Sequence, residues 1–175
     1  PAALREEVAL QGVAGAVVND WQLNGGYQFL SGAPISPLSA ANRVFTGSGS
    51  PTGRPDLVAG CDLYSGFHTI AQWYNPNCFS IQQAGTYGNS GRTIIVGPQL
   101  WNVDASLTKD WKVSKVSEVF AVQFRAEAFN LLNRANFGTP NPIVFSGTSV
   151  AAAAGLITTT VTPSRQLQGS LKLIF

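Results

Sequence analysis

Residues 164–175 read SRQLQGSLKLIF, and the fold follows from how this stretch is divided between two faces. Its odd positions from Leu167 are Leu167, Gly169, Leu171, Leu173 and Phe175, and its even positions are Gln168, Ser170, Lys172 and Ile174. Period-two alternation of this kind marks a β-strand with one apolar and one mostly wet face. A slip of one residue would turn Gln168 and Lys172 to the apolar side and lose several leucine-sized burials of about 1.5–3 kcal/mol each. The apolar side must therefore meet either a protein core or lipid.

The same alternation recurs upstream. Trp21, Leu23, Gly25, Tyr27 and Phe29 oppose Gln22, Asn24, Gly26 and Gln28. Trp101, Val103, Ala105, Leu107, Lys109 and Trp111 oppose Asn102, Asp104, Ser106, Thr108 and Asp110. Phe120, Val122, Phe124, Ala126 and Ala128 oppose Ala121, Gln123, Arg125 and Glu127, with Phe129 breaking the rule at the strand end. A weaker pattern over 8–18, blurred by Val13 and Val17, predicts a further strand joined to 21–31 through a tight turn at Asn19 and Asp20. The expected strands are thus 8–18, 21–31, 101–111, 118–130 and 164–175, with irregular segments at 32–99 and 131–162 rich in Gly, Pro, Ser and Asn. So long an irregular segment inside a compact domain is uncommon unless it is functional.

Composition narrows the class. The 175 residues are 11% charged and 45% hydrophobic, with net charge +2 and no methionine. The absence of Met and the start at Pro1 read as a processed product or an excerpt of something longer. Basic residues are scattered from Arg5 to Lys172, with no patch that would bind nucleic acid. The longest apolar run, 150–157, is far short of the ~18–20 residues a membrane helix needs. A mean hydropathy of +0.10 suits strands that alternate.

Three further features favour lipid over a protein core. Trp101 and Trp111 share a face ten residues apart, which is ~33 Å along a strand and ~23 Å in height at a tilt of ~45°. That matches the ~25 Å apolar band between the aromatic girdles of an outer-membrane barrel. Asp104, on the opposite face, suits a watery lumen. Connections alternate short (19–20), long (32–99), short (112–117) and long (131–162), as periplasmic turns and extracellular loops do. The fold class expected is therefore all-β, with antiparallel amphipathic strands forming part of one transmembrane β-barrel domain over 1–175 and two long extracellular loops. Trp21, Trp101, Trp111 and Phe175 would stand at the membrane girdles, with the C-terminus periplasmic and outer-membrane lipid against the apolar face.

The ordered set NDWQLNGGYQFLSGAPIS (19–36), GRPDLV (53–58), WYNPNCF (73–79), GTYGNSGRTIIVGPQLWNVDASLTKDW (85–111), QFRAEAFNLLNRANFGTPN (123–141) and terminal LKLIF resembles the C-terminal barrel portion of TonB-dependent outer-membrane receptors. The likeness is to the large Oar-like receptors with a carboxypeptidase-regulatory-like domain, abundant in Acidobacteria. The resemblance implies a receptor or transporter for TonB-energised binding and uptake of a scarce solute of siderophore, vitamin or oligosaccharide class. It also implies partners outside these residues: the TonB system through upstream parts, and barrel-assembly machinery that reads a C-terminal strand ending in Phe175. Five strands cannot enclose a plug, so further barrel strands must come from additional chain or other copies. The rival is a soluble or surface-attached β-sandwich that binds glycans or protein partners, its apolar faces meeting in a core.

Cys61 and Cys78, in a cell-surface loop, are expected to form a disulfide. A metal site from Cys61, Asp62, His68 and Cys78 is the alternative, without the paired spacing of zinc motifs. Asp62, Ser65 and His68 have the residue types of a catalytic triad but not its context, and GSGSPTG (47–53) neither follows a strand nor opens a helix as a phosphate loop would. No enzyme activity and no cofactor is expected. Trp73, Tyr74 and Phe79 either bind a solute by stacking or form a small core inside the loop. Arg125 and Glu127 either line a substrate path or solvate the inner wall as an ion pair.

Overall fold

The computed structural model describes Gly15, residues 17–41, Arg43, residues 53–112 and residues 120–175. In chain order its strands are β1 (Trp21–Leu30), β2 (Pro34–Ile35), β3 (Leu38–Ser39), β4 (Asp56–Leu57), β5 (Phe79–Ser80), β6 (Ile95–Val96), β7 (Leu100–Lys112), β8 (Ala121–Phe129), β9 (Ile143–Ser146), β10 (Ser149–Val150) and β11 (Gln166–Ile174), with one 3-10 turn at Pro76–Cys78.

The four long strands form one sheet in the order β1-β7-β8-β11. β7 and β8 pair antiparallel without a register break from Ala105↔Ala128 to Lys112↔Ala121. β8 and β11 do the same from Gln166↔Phe129 to Ile174↔Ala121. β1 also runs antiparallel to β7: the Asp110 amide donates to the Asp20 carbonyl at one end, Gly25 lies against the Asp104 carbonyl midway, and Phe29 meets Trp101 at the other. The result is an up-and-down meander. The strand ends from which both long connections depart are therefore on one side of the sheet.

Cross-strand partners in an antiparallel pair share a face, so the ladders sort the side chains. Leu107, Ala126 and Gly169 form one row, Trp111, Val122 and Leu173 another, and Ala105, Ala128 and Leu167 a third. The opposite face carries the rows Ser106, Glu127, Gln168 and Asp110, Gln123, Lys172. The alternation found strand by strand is thus one continuous apolar face and one continuous polar face. On the apolar one, Leu23, Tyr27, Leu167 and Leu171 are 65–86% exposed, whereas the core of a soluble sandwich would bury them against a second sheet.

The chain start departs from expectation. Of the predicted strand 8–18, residues 8–14 and 16 lie outside the described residues, and Gly15, Val17 and Val18 are helical rather than extended. The Asn19 amide donates to the Gly15 carbonyl at 2.9 Å, an i to i−4 bond that makes this a helical turn leading into β1. The two-residue hairpin at Asn19 and Asp20 is accordingly corrected. Asp20 does take the left-handed φ of +58° that a turn signal implies; the pattern of small residues over 12–18 suits a helix as well as a strand. β8 begins at Ala121, so Phe120 is outside it, and residues 118–119 lie outside the described residues.

The chain divides into two compact units, one holding most of the sheet and the other comprising Phe29–Trp101 and Ala135–Pro163. The second unit contains both segments that lacked periodicity. They do not form two separate loops: β3 pairs in parallel with β9, the Trp73 amide donates to the Gly155 carbonyl, and the Ile157 amide donates to the Ile70 carbonyl. Ile35, Tyr74, Cys78, Phe79, Ile95, Val144 and Phe145 make its core. Close backbone approach explains some of its glycine: a Cβ on Gly32 would lie 1.8 Å from the Gly97 carbonyl oxygen, a separation no side chain tolerates.

Candidate functional site

The outward face is bounded by aromatic residues at both ends. Phe29 meets Trp101 edge to face at 5.1 Å. At the other end, Trp21 and Trp111 flank Lys109, whose Nζ is 5.9 Å and 5.5 Å from their ring centres and donates to the Asn19 carbonyl. Lys109 is the one cation on the apolar face of β7. Lys109 is fully buried, with its charge held beside two indole rings at the boundary, an arrangement by which lysine is tolerated near lipid. Trp21 is anchored by its Nε1 donating to the Val17 carbonyl at 2.8 Å. Phe175 follows β11 and is 96% exposed. The sequence did not single out Phe29 or Lys109; opposite aromatic and basic positions on different strands become neighbours only once the register is known.

The polar face is cross-linked by side chains. Gln123 donates to Asp110 at 2.8 Å, Asn102 donates to Asp104 at 3.0 Å, and Gln168 donates to Glu127. Arg125 and Glu127 form the expected ion pair at 3.5 Å, with side chains 49% and 21% exposed. At that exposure the pair contributes about 0–1 kcal/mol.

The sheet ends in a corner built from asparagines. Asn130 and Asn133 take left-handed φ values of +50° and +51°, which asparagine tolerates better than other non-glycine residues. The Asn130 amide donates to Asp104, and its side chain both accepts from the Arg134 amide and donates to the Arg134 carbonyl. Asn136, 1% exposed, accepts from the Trp101 amide and donates to its carbonyl, capturing both backbone groups of that residue. The motif NLLNRAN is therefore a backbone clamp, a role that its polar composition alone reads only as loop.

In the second unit, Cys61 and Cys78 are joined, with Cα atoms 5.4 Å apart. Bonded sulfurs cannot act as the thiolate ligands of the alternative metal site, and no group of metal-ligating side chains occurs among the described residues. Of GSGSPTG, only Gly53 is described, bridging to Ser39 in an antiparallel contact. Replacing both cysteines by serine is expected to cost this unit about 3 kcal/mol for a closed loop of this size. Protease added to intact cells should then cut within 53–99 in the double variant but not in the parent, and equal resistance would show the bridge to be dispensable.

The three aromatic candidates separate. Tyr74 is fully buried and Phe79 is 4% exposed; their rings meet edge to face at 6.1 Å. The Tyr74 hydroxyl donates to the Asn141 carbonyl at 2.8 Å. Burial pushes its phenol well above the usual range, against a smaller opposing effect of the Gly155 backbone. For these two the packing alternative holds, because no ring face is open to a solute. Trp73 differs: it is partly exposed, with Nε1 donating to the Val96 carbonyl at 2.7 Å. Its ring stacks on His68 at 4.7 Å and 29°, and His68 lies 4.4 Å from Tyr64 at 47°.

A two-faced sheet of this kind, apolar outward between aromatic ends and polar on the other side, is a segment of transmembrane β-barrel wall. The chain belongs to the outer membrane beta barrel domain family, whose model matches residues 3–168. Searches of curated proteins and of solved structures gave no match.

Proposed function

We propose that this chain is the C-terminal barrel wall and surface unit of a TonB-dependent receptor of the Oar-like type, which binds a scarce solute outside the cell and takes it up with TonB-supplied energy. The observation that carries this reading is the asymmetry of the meander. Both connections on one side of the sheet, 31–99 and 130–165, are long, and the single connection 113–120 on the other is short. Long connections are the extracellular ones in outer-membrane barrels. They belong here to a disulfide-closed unit with its own core, as a binding surface requires. The ordered sequence resemblance points to the same family. In this reading the C-terminus is periplasmic, the strand ending at Phe175 is read by barrel-assembly machinery, and upstream chain supplies the plug, the TonB contact and the remaining strands.

The mass of the native polypeptide that contains Phe175, measured in separated outer-membrane and soluble fractions, tests this. A receptor requires a product several times the 18.5 kDa of these residues, found in the outer-membrane fraction. A product near 18.5 kDa would sink the receptor assignment.

A further inference from the structure

We propose that Tyr64, His68 and Trp73 form a docking site for a neutral oligosaccharide, with the Asp62 carboxylate at its rim. The proposal rests on the receptor reading above and names the solute class that the surface unit would take.

The site is built by a short hairpin. Thr69 and Gln72 exchange backbone hydrogen bonds in both directions at 3.2 Å, and the His68 amide donates to the Trp73 carbonyl at 3.1 Å. His68 and Trp73 are thereby cross-strand neighbours, which places their rings in a stack. His68 sits at φ +73°, a left-handed conformation that a non-glycine residue keeps only where its surroundings impose it. The imposed geometry holds an imidazole between an indole and a phenol at the surface.

The polar ends of the two flanking rings are already occupied. Trp73 Nε1 donates to the Val96 carbonyl, and the Tyr64 hydroxyl accepts from the Val96 amide at 2.6 Å. Both rings are thus fixed by one residue of β6, and Val96 itself is 49% exposed beside them. What the cluster offers a solute is an exposed imidazole, the parts of the Tyr64 and Trp73 rings not packed against the core, and the apolar area of Val96.

The charge around it selects among solutes that stack. Asp62 is exposed and precedes the stack; one of its oxygens accepts from the Tyr64 amide at 2.9 Å. A carboxylate at the rim repels anionic aromatic chelates and accepts hydrogen bonds from hydroxyl groups. The exposed imidazole adds a further hydrogen-bonding group. Apolar ring area beside a few hydroxyl-binding groups matches a pyranose ring, which has C–H faces and a hydroxyl perimeter.

The test uses the full-length protein purified from the outer membrane in detergent, titrated with gluco-, xylo- and manno-oligosaccharides while tryptophan fluorescence is read. At least one should bind, with Trp73→Ala and His68→Ala weakening it tenfold or more and Trp73→Phe keeping most of the affinity. Unchanged heat-modifiable gel mobility of each variant confirms a folded barrel. Core glycan from the host's own lipopolysaccharide is a separate probe, and binding of that alone would overturn the assignment of the site to an imported solute. Binding of none of these sugars, or sugar binding indifferent to Trp73→Ala, overturns the site. Binding of an anionic ferric catecholate in their place, lost in Trp73→Ala, overturns the sugar class. Uptake in a strain without TonB is a separate readout: sugar binding without TonB-dependent uptake upholds the site and defeats the receptor reading. TonB-dependent uptake without sugar binding does the reverse.

Discussion

Arginine at Leu107 is expected to prevent accumulation of the protein in the outer membrane. Leu107 lies mid-strand on β7 in the row with Ala126 and Gly169, on the apolar face and remote from both aromatic ends. A cation at the bilayer midplane of a barrel costs about 2–4 kcal/mol, and the small side chains beside it offer no partner. Val103 and Val122 are equivalent sites nearer the boundaries, where the cost falls. The same substitution at Ser106 or Gln123 places the cation on the polar face, among Asp110 and Glu127, and should leave assembly intact. Outer-membrane fractionation together with heat-modifiable mobility reads the difference. Equal tolerance at Leu107 and Ser106 would mean that the apolar face does not meet lipid.

Lys109 shows how narrow the tolerated exception is. It shares the apolar face with Leu107, yet its charge reaches the Asn19 carbonyl between Trp21 and Trp111. One pleat repeat along the strand separates a residue that can carry its charge to the boundary from one that cannot.

The second large effect is expected within the surface unit. Tyr74→Ala should lose about 3–5 kcal/mol from that unit, the usual cost of deleting a buried aromatic ring. Tyr74 has no exposed surface, contacts Phe79 and anchors the Asn141 carbonyl. Removal therefore leaves a cavity, while the Asn141 carbonyl keeps the Gly155 amide as a donor at 3.1 Å. Tyr74→Phe keeps the ring and loses only the hydroxyl bond, a loss of about 1 kcal/mol. Proteolysis on intact cells should cut Tyr74→Ala within 53–99 or 135–163 while the barrel keeps its heat-modifiable mobility. Resistance of Tyr74→Ala equal to the parent's would show that the unit's stability lies elsewhere. If the barrel were lost as well, the unit would not be an independent folding element.

The contrast between Tyr74 and Trp73 is instructive about what a sequence can say. The two are adjacent in WYNPNCF and chemically alike, so the residues alone left stacking on a solute and packing in a core as open alternatives. Burial decides between them. Tyr74 points into the interior that includes Ile95 and Val144, while Trp73 is held at the surface by Val96 and stacked on His68. His68 stood out in the sequence only as a metal ligand or triad member, and Tyr64 not at all, because ring stacking across a hairpin leaves no signature in spacing. The asparagines of NLLNRAN were likewise legible only as loop, since a clamp is defined by the backbone groups it captures.

The four long strands were legible because period-two alternation is local: each strand states its own two faces, and partition between oil and water sets the parity. At Gly15, Val17 and Val18 the expected strand failed by the same logic, since small residues satisfy a helical turn as readily as a strand and the bond from Asn19 to Gly15 decided the matter. By itself, then, the sequence determined the two faces and the approximate places of the four long strands, and which connections between those strands are long and which short. Tertiary structure alone decided the strand order, the junction of two irregular segments into one unit, the burial of Tyr74 and Phe79, and the stack of Tyr64, His68 and Trp73. The physical reason is range: amphipathic periodicity is imposed on neighbours in sequence, whereas the packing of irregular segments depends on contacts between residues tens of positions apart, such as Tyr74 with Asn141.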